Sequence, residues 1–370
     1  MPVALAVSTQ SYRRPPAPHV PVTVTPLIDH DRSNATHEVA SLHAASRLVA
    51  GLLGCSNAIG GADPASSYWL PARTLLQDEA RLLGIEDESQ LWGGVVPHAF
   101  VGTKLVSHPL WPGGSGAPAG WRDVPGIEAC TLPGWSVFNR EDARAACRAL
   151  LTDGPVRFKN PWARGGNDQA VFDDARAAQD WLDAAIGLEH GLVVERDLSG
   201  TVTYGVGSAR IGEHAIAYFG TQSTVRDHRG HEVYGGSRLT VLRGDLAQLC
   251  TALPDPGARE AVCTAMHYDR AVRGCYRVLA SRCNYDVIVG EDRDRRRHCG
   301  VLEQSWRFGG ASMAELLAME RFAREPDLHW LVAETVESYD RPQLPADAVS
   351  LWPGDAESPC KYARIVDDGY

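Results

Sequence analysis

An acid, a hydroxyl and an arginine lie within five residues of one another in the stretch VLEQSWRFGGAS, residues 301–312. Glu303 follows the apolar residues CGVL, which predict a buried strand, and Arg307 comes four residues later. A charge at the end of a buried strand needs a partner, because an unpaired buried charge is costly. An ion pair between Glu303 and Arg307 is one interpretation. The glycine pair and the small residues after the arginine favour another, a site that a ligand approaches closely.

A second acid, Asp286 in NYDV, lies on the strand predicted just before that of Glu303, and the charged turn EDRDRRRH joins the two. Antiparallel neighbours of this kind can bring both carboxylates to one face of a sheet. Two convergent carboxylates suit Mg²⁺, which prefers oxygen ligands and accompanies nucleotide phosphates, and Ser305 can add a further oxygen. Arg307 can hold a carboxylate or a phosphoryl oxygen through two hydrogen bonds.

The segment PVRFKNPWARGGNDQAVF predicts a strand that closes with Lys159, a glycine-containing loop and a second strand. The backbone N–H groups around Gly165 and Gly166 can fold over phosphates while Lys159 supplies a cation. The loop is not a P-loop, because GxxxxGK[ST] is absent, and it is not a dinucleotide fingerprint, because a strand and not a helix follows it. A glycine hairpin with a surface lysine is the structural alternative.

Farther along, GLVVERDL runs from three apolar residues into an acid and a base. In a nucleotide hinge, the backbone of Val194 to Arg196 would pair with an adenine edge, and an acid such as Glu195 would reach the ribose hydroxyls. An exposed edge strand is the alternative reading of the same residues.

The elements that must position these side chains alternate between helices, hairpins and strands, which predicts an α+β architecture. Helical spacing of apolar residues and acidic first turns predict helices over residues 37–53, 70–83, 139–151, 174–186 and 258–279. Short apolar or alternating runs predict strands over residues 155–159, 169–172, 191–198, 201–210, 214–220, 284–289 and 299–303. A loop rich in Gly and Pro, residues 111–126, is the clearest domain boundary.

The composition of the chain limits the classes of partner that the protein is expected to bind. The 370 residues carry a formal net charge of −10, from 46 acids against 36 bases, which argues against a nucleic-acid partner. No apolar run approaches the roughly 20 residues of a membrane span. Nine cysteines without a CxxC pair predict reduced thiols, so we expect a cytoplasmic protein that does not bind membranes.

The order and spacing of these segments resemble the ATP-grasp superfamily. That superfamily has a strand, a lysine and a Gly-rich loop, then an apolar hinge ending in an acid, an acid on a later strand, and Glu-x-Asn-x-Arg on the next. The stretches RFKNPWARGGNDQ, GTQSTVRDHRGHEVYGGS, NYDV and LEQSWRFGGAS are most similar to a family of uncharacterised bacterial ATP-grasp proteins, biotin-carboxylase-like and without an established reaction. Two departures stand out, because Ser305 replaces the usual Asn and Trp306 the usual Pro.

The resemblance spans about residues 69–319 and implies an ATP-grasp fold, in which two α+β subdomains clasp ATP, preceded by a smaller α/β N-terminal domain. We therefore expect five segments along the chain. They are a flexible Pro-rich lead-in (1–25), the N-terminal domain (26–125), the subdomain with the Gly-rich loop (126–196), the subdomain with the metal and substrate site (197–325) and a C-terminal tail that packs on the core (326–370).

The same resemblance implies an ATP- and Mg²⁺-dependent carboxylate ligase that forms an amide or peptide-like bond through an acylphosphate. Arg307 and Lys159 would be catalytic, Asp286, Glu303 and Ser305 would bind Mg²⁺, and Arg307 would also contact the substrate. The nucleotide would be bound by Lys104, Lys159, Gly165, Gly166, Val194, Glu195 and Arg196. A kinase that phosphorylates a small-molecule hydroxyl and a non-catalytic nucleotide-binding protein are the alternatives.

The polar, glycine-rich segment GTQSTVRDHRGHEVYGGS, residues 220–237, is the candidate for the substrate side. Arg226, Arg229 and Tyr234 could contact an anionic substrate there, and a mobile surface loop is the equal alternative. The partners expected for such an enzyme are a small-molecule carboxylate and an amine or other nucleophile, and a homodimer is left open.

Overall fold

The computed structural model describes residues 21–28, 36–57, 63–163, 168–340, 343–355 and 358–366, and confirms the α+β class. Gly165 and Gly166 of the predicted phosphate loop lie outside these residues. Within them the chain forms four sheets and seven α-helices.

The largest sheet is antiparallel, has eight strands and carries most of the predicted site residues. Its order is β15-β14-β10-β11-β12-β16-β18-β17. The strands are β10 (Ser199–Ile211), β11 (His214–Arg226), β12 (Glu232–Arg243), β14 (Arg282–Glu291), β15 (Arg297–Ser305), β16 (Trp330–Ser338), β17 (Val349–Trp352) and β18 (Cys360–Val366). Hairpins join β10 to β11, β11 to β12 and β14 to β15, so strands close in sequence are also neighbours in the sheet.

Helices cover both faces of this sheet. On one face lies α6 (Pro256–Tyr276), whose buried residues pack with Tyr285 and Val301. On the other face lie α1 (His37–Leu53) and α7 (Ser312–Arg324), which share a core with Tyr218 and Val241. A short helix, α5 (Leu246–Ala252), precedes α6. Because side chains alternate along a strand, each central strand supplies residues to both cores.

A smaller antiparallel sheet has the order β6-β9-β7-β8 and its own core with α3 and α4. Asn139 caps α3 by accepting a hydrogen bond from the Asp142 backbone N–H, and two acids occupy the first turn, as its sequence predicts. The elements are β6 (Gly134–Val137), α3 (Arg140–Leu151), β7 (Val156–Lys159), β8 (Gln169–Phe172), α4 (Ala175–Ala184) and β9 (Leu192–Arg196).

Near the N-terminus a parallel sheet has the order β2-β1-β3, and α1 is the crossover between β1 and β2. Its strands are β1 (Thr23–Leu27), β2 (Ser56–Asn57) and β3 (Ser67–Pro71). Strand β1 already starts inside the segment predicted as a flexible lead-in, because Val24 is fully buried in the core beneath α1. Residues 1–20 of that segment are outside the described residues.

The helix predicted over residues 70–83 is wrong. That stretch contains the end of β3, then β4 (Leu75–Leu76) and the six-residue helix α2 (Gln77–Leu82). All five residues of β3 are buried, and a short apolar run of this kind cannot be told from a buried helix by periodicity alone. Strand β4 joins β5 (Gly94–Val96) and β13 (Leu279–Ala280) in a third small sheet, which connects this region to the start of β14.

The prediction that every cysteine is a free thiol is wrong for one pair. Cys250 in α5 and Cys263 in α6 form a disulfide, because the two consecutive helices pack together and bring the Cα atoms within 6.2 Å. Among the residues that the structure describes, no helix is long and apolar enough to cross a membrane.

Candidate active site

Asp286 on β14 and Glu303 on β15 lie directly opposite each other in the strand register. Both side chains are half-buried and line the same cavity. Desolvation of the Asp286 carboxylate, followed by the negative charge of Glu303, raises the pKa of Asp286 to about 7. The sequence prediction that the hairpin brings these two carboxylates to one face therefore describes the structure correctly.

The neighbouring register pair is Asn284 on β14 and Ser305 on β15, on the same face of the sheet. Tyr285 and Gln304 lie between these two register pairs and face the core on the other side of the sheet, beneath α6. There Gln304 donates hydrogen bonds to the backbone carbonyls of Val101 and Thr103, at 2.8 and 2.7 Å. The alternation of β15 thus presents the oxygens of Glu303 and Ser305 on one face and anchors the segment that precedes Lys104 on the other.

Lys104 joins the carboxylate pair to the start of the glycine-containing loop. Its ammonium group lies 2.8 Å from Glu303 Oε2 and donates a hydrogen bond of 2.5 Å to the backbone carbonyl of Ala163. The residue is only 5% exposed. Glu303 therefore has a lysine for its ion-pair partner, and the described part of the loop, up to Ala163, approaches the carboxylates.

Lys159 is at the end of β7 and forms a buried cluster with Glu195 and His108. Its Nζ lies 2.5 Å from Glu195 Oε1, and His108 Nε2 lies 3.0 Å from Glu195 Oε2. Burial alone would raise the pKa of Glu195, but the positive charge of Lys159 and the hydrogen bond with His108 hold it at about 2. Two predicted nucleotide ligands are thus brought together as an ion pair, with a histidine to which the sequence prediction gave no role.

The other two residues predicted for the nucleotide hinge lie inside the small sheet. Val194 is fully buried in its core, and Arg196 contacts Asp153 at 2.7 Å and Asp292 at 3.6 Å. Strand β9 is internal, so the backbone of Val194 to Arg196 is paired with β6 on one side and β7 on the other. The strand pairing therefore already occupies backbone groups that the sequence prediction offered to an adenine edge.

A cavity of about 310 Å³ opens on the carboxylate pair. Of the predicted metal and substrate residues, Asp286, Glu303, Ser305, Arg307 and Tyr234 line it. A side chain at Gly310 would meet the Tyr234 ring at about 2.5 Å, which gives the glycine pair after Arg307 a physical role. Sequence reasoning missed the remaining polar lining residues, which are His37, Glu38, Gln222, Ser237, Arg282, Asn284, Glu337 and Lys361.

Two predicted substrate residues lie elsewhere. Arg226, at the end of β11, and Arg229, in the turn before β12, are exposed and do not line the cavity. The predicted segment forms the ends of two long strands, so its alternating residues divide between the cavity and solvent. Tyr234 is held in the cavity wall by Ser237 Oγ at 2.6 Å and Thr335 Oγ1 at 3.2 Å.

The backbone around Arg307 is held by the buried side chain of Arg282, a residue that is only 1% exposed. Arg282 makes a two-pronged ion pair with Glu315 of α7, at 2.9 and 2.5 Å. Its Nη1 donates to the backbone carbonyls of Ser305 at 3.2 Å and Arg307 at 2.7 Å. A buried ion pair therefore positions the end of β15, from which the predicted metal and substrate ligands project.

The C-terminal strands add a buried ion pair to the cavity wall. Lys361 on β18 lies 2.7 Å from Glu337 on β16, and the two residues are directly opposite in the register. Their side chains are 5% and 10% exposed. The segment predicted as a tail on the core therefore contributes strands to the main sheet and charges to the candidate site.

The arrangement of these sheets is the ATP-grasp fold, which confirms the resemblance noted in the sequence. A biotin carboxylase from Campylobacter jejuni, solved in complex with β,γ-ATP, is similar with a TM-score of 0.51 and 10% identity, over 94% of this chain and 87% of that one. The chain belongs to the family described as protein of unknown function DUF3182, whose profile matches residues 27–365.

Two further solved structures are similar with lower TM-scores. An N5-carboxyaminoimidazole synthetase from Staphylococcus aureus, complexed with ADP, has a TM-score of 0.48 and 10% identity, over 94% of each chain. A D-alanyl-alanine synthetase A from Vibrio cholerae has a TM-score of 0.44 and 8% identity, over 82% of this chain and 93% of that one. No curated protein sequence matches the chain. At these identities the likeness defines the fold alone.

Proposed function

We propose that this protein is an ATP- and Mg²⁺-dependent carboxylate ligase that forms an amide or peptide-like bond through an acylphosphate. The observation that carries the proposal is the convergence of Asp286, Glu303 and Arg307 on one cavity, beside Lys104 at the edge of the glycine-containing loop. A metal-binding carboxylate pair and an arginine for a substrate anion are what carboxylate activation requires.

The residues fit a divalent cation. Two carboxylates that face each other across a strand pair repel, and a cation between them would offset both charges. Among the described residues no group of three or more His, Cys, Asp and Glu side chains could hold a metal ion, so the ligands beyond this pair would be neutral oxygens, phosphates or water. When bound, Mg²⁺ would neutralise charge on the nucleotide phosphates.

The side chains of the proposed site have separate tasks. Lys104 and Lys159 supply positive charge for the nucleotide phosphates, and Arg307 orients the substrate carboxylate. The carboxylate oxygen forms a bond to the γ-phosphorus as the bond to the bridging oxygen breaks and ADP leaves. The amine then forms a bond to the acyl carbon, phosphate leaves with the electron pair, and the amine proton is lost to solvent.

Panels of carboxylates and amines, each incubated with ATP and Mg²⁺, test the proposed function. We expect ADP and free phosphate to form in equal amounts with an amide product, and only when both a carboxylate and an amine are present. Phosphate that stays on a hydroxyl acceptor without an amide product would identify a kinase instead. Nucleotide binding without ADP formation across the panels would favour a non-catalytic binding protein.

Cation binding at this site should depend on pH. The pKa of Asp286 is about 7 in the metal-free protein, with Glu303, Lys104 and Tyr234 facing it, so below pH 7 a proton competes with the cation. We expect Mg²⁺ affinity to rise as the pH increases through about 7, measured by calorimetry between pH 5.5 and 8.5. In Asp286→Asn this dependence should be lost, and an unchanged pH profile in that variant would show that another group titrates.

The raised pKa of Asp286 also determines how the stability of the metal-free protein changes with pH. Asp286 holds its proton more tightly in the folded chain than at its ordinary pKa of 3.8, so the folded state binds more protons between pH 4 and 7. The metal-free protein should therefore lose stability as the pH rises through this range. Saturating Mg²⁺ with ADP should remove that loss.

A further inference from the structure

Glu337 on β16 and Lys361 on β18 form a charged pair in the cavity wall that has no part in the phosphoryl transfer. Lys361 Nζ lies 2.7 Å from Glu337 Oε1, and both residues line the cavity that Arg307 also lines. Within the described part of the chain, each of these two side chains has the other as its only hydrogen-bond or ion-pair partner. The second carboxylate oxygen and two of the three ammonium protons are therefore left for a ligand.

The stability of the fold does not explain this buried pair. Taking two charges out of water is costly, and well-packed apolar residues in their place are often neutral or stabilising. The adjacent register pair on the same face of β16 and β18 is Thr335 and Ala363, which are buried and uncharged. Arg282, in its buried pair with Glu315, also holds two backbone carbonyls, whereas the Lys361 ammonium contacts none among the described residues. The two charges are therefore better explained by a ligand.

The pair lies close to the loop that carries Arg307. Gly310, three residues after Arg307, lies against Tyr234, since a side chain at Gly310 would meet that ring at about 2.5 Å. The Tyr234 hydroxyl lies 3.2 Å from Thr335 Oγ1, and Thr335 is two residues before Glu337 on the same face of β16. One tyrosine ring thus separates this loop from the strand of the pair, and a cavity of about 310 Å³ suits one small molecule.

A small molecule with three charged groups matches this wall. Arg307 attracts a carboxylate, Glu337 an ammonium group and Lys361 a second carboxylate. The ligand ammonium would donate to the second oxygen of Glu337, and the ligand carboxylate would accept protons from Lys361, so that the four charges alternate in sign. An acidic amino acid carries all three groups, because its side chain ends in a carboxylate and its α-carbon carries the other two.

We infer that the carboxylate substrate is an acidic amino acid, whose α-ammonium and α-carboxylate groups bind Glu337 and Lys361 while its side-chain carboxylate faces Arg307. The inference rests on the proposed function, because it assumes that Arg307 holds the carboxylate that attacks the γ-phosphorus. Glu337 and Lys361 are then specificity-determining residues. The amide forms at the side-chain carboxyl group, and the α-carboxylate stays free.

Calorimetric titration of the full chain, with ADP and Mg²⁺ present, tests the inference with two series of ligands. One series is L-glutamate, glutarate and γ-aminobutyrate, and the other is L-aspartate, succinate and β-alanine. The second ligand of each series lacks the α-ammonium group, and the third lacks the α-carboxylate. We expect one of the two amino acids to bind at least about tenfold tighter than both of its analogues, because each analogue loses one charged hydrogen bond.

The double variant Glu337→Leu, Lys361→Met removes both charges and puts apolar side chains in their place. We expect it to unfold at the wild-type temperature or above and to lose the preference for the amino acid. The matched control is Arg364→Met, Glu334→Leu, which removes an ion pair of 2.7 Å on the same two strands but outside the cavity lining. The control should keep the preference.

Three results would overturn the inference while leaving the proposed function in place. They are equal affinity for the amino acids and their analogues in the wild type, a preference that persists in the folded double variant, and amide formation on other carboxylates but on neither acidic amino acid. If the double variant does not fold, Glu337→Gln decides, because it should lower only the preference over the ligand without an ammonium group. Absence of amide formation across the panels of carboxylates and amines would instead contradict the proposed function.

Discussion

Glu303→Gln is expected to lower the affinity for Mg²⁺ with ADP by about 100-fold, or about 2.7 kcal/mol. The substitution keeps the size of the side chain and removes one of the two carboxylate charges that face each other on β14 and β15. It also removes the ion-pair partner of Lys104, at 2.8 Å, so the positive charge of that ammonium group is no longer offset and further disfavours a cation nearby. Calorimetric titration of the variant with ADP, with and without Mg²⁺, measures the change.

The matched control is Glu320→Gln on α7. Glu320 also pairs with a basic residue, Arg324 at 2.8 Å, but it lies outside the cavity. Its replacement should leave the affinity within about threefold of the wild type, since exposed ion pairs contribute little. Equal affinity in Glu303→Gln and the control would contradict the assignment of Glu303 as a metal ligand.

Arg282→Met is expected to lower the free energy of unfolding by about 3–5 kcal/mol, because it leaves the Glu315 carboxylate buried without its cation. Glu315 is fully buried and takes both of its ion-pair contacts from Arg282. The variant also loses the two hydrogen bonds that hold the backbone of Ser305 and Arg307. Urea unfolding followed by circular dichroism measures the loss.

A double variant separates the charge effect from packing. In Arg282→Met, Glu315→Leu neither charge is left in the core, so a large part of the lost stability should return. Cation affinity should not return with it, because the backbone carbonyls at the end of β15 still lack their donor. A single variant within about 1 kcal/mol of the wild type would show that this ion pair does not hold the site together.

The carboxylate pair could be predicted because its geometry is local. The sequence 284–303 predicts two strands and a short charged turn, and a hairpin sets two such strands side by side. Equal spacing from the turn would pair Asp286 with Leu302, and a register shift between Asp286 and Val287 places Glu303 opposite Asp286 instead. The same shift sets Asn284 opposite Ser305, so the exact pairs do not follow from the sequence alone.

The other parts of the cavity depend on contacts that are distant in the sequence. Glu337 and Lys361 reach the cavity because β16 pairs with β12 and β18 pairs with β16, and no local pattern specifies these pairings. His108 approaches Glu195 from a segment 87 residues away. Arg229 is a residue that the sequence analysis predicts for the site but that lies outside it. Its charge within a polar segment indicates a substrate contact, whereas the residue lies in an exposed turn.

The domain boundaries, the cytoplasmic location and a homodimer stay predictions, as do the roles assigned to individual site residues. The fold limits one of these predictions, the separation of the C-terminal segment from the rest of the chain. Because the C-terminal strands β16 and β18 belong to the main sheet and line the cavity, removal of the segment after residue 326 should unfold the sheet or open the site.

The central claim, carboxylate activation by phosphoryl transfer, is tested most directly with a substrate carboxylate labelled with ¹⁸O. With the substrate pair identified in the panels, one ¹⁸O atom should appear in each phosphate released, because the oxygen that forms the bond to phosphorus leaves with it. Mass spectrometry or ³¹P nuclear magnetic resonance of the phosphate detects the label. Released phosphate without ¹⁸O, formed in step with the amide, would contradict an acylphosphate intermediate.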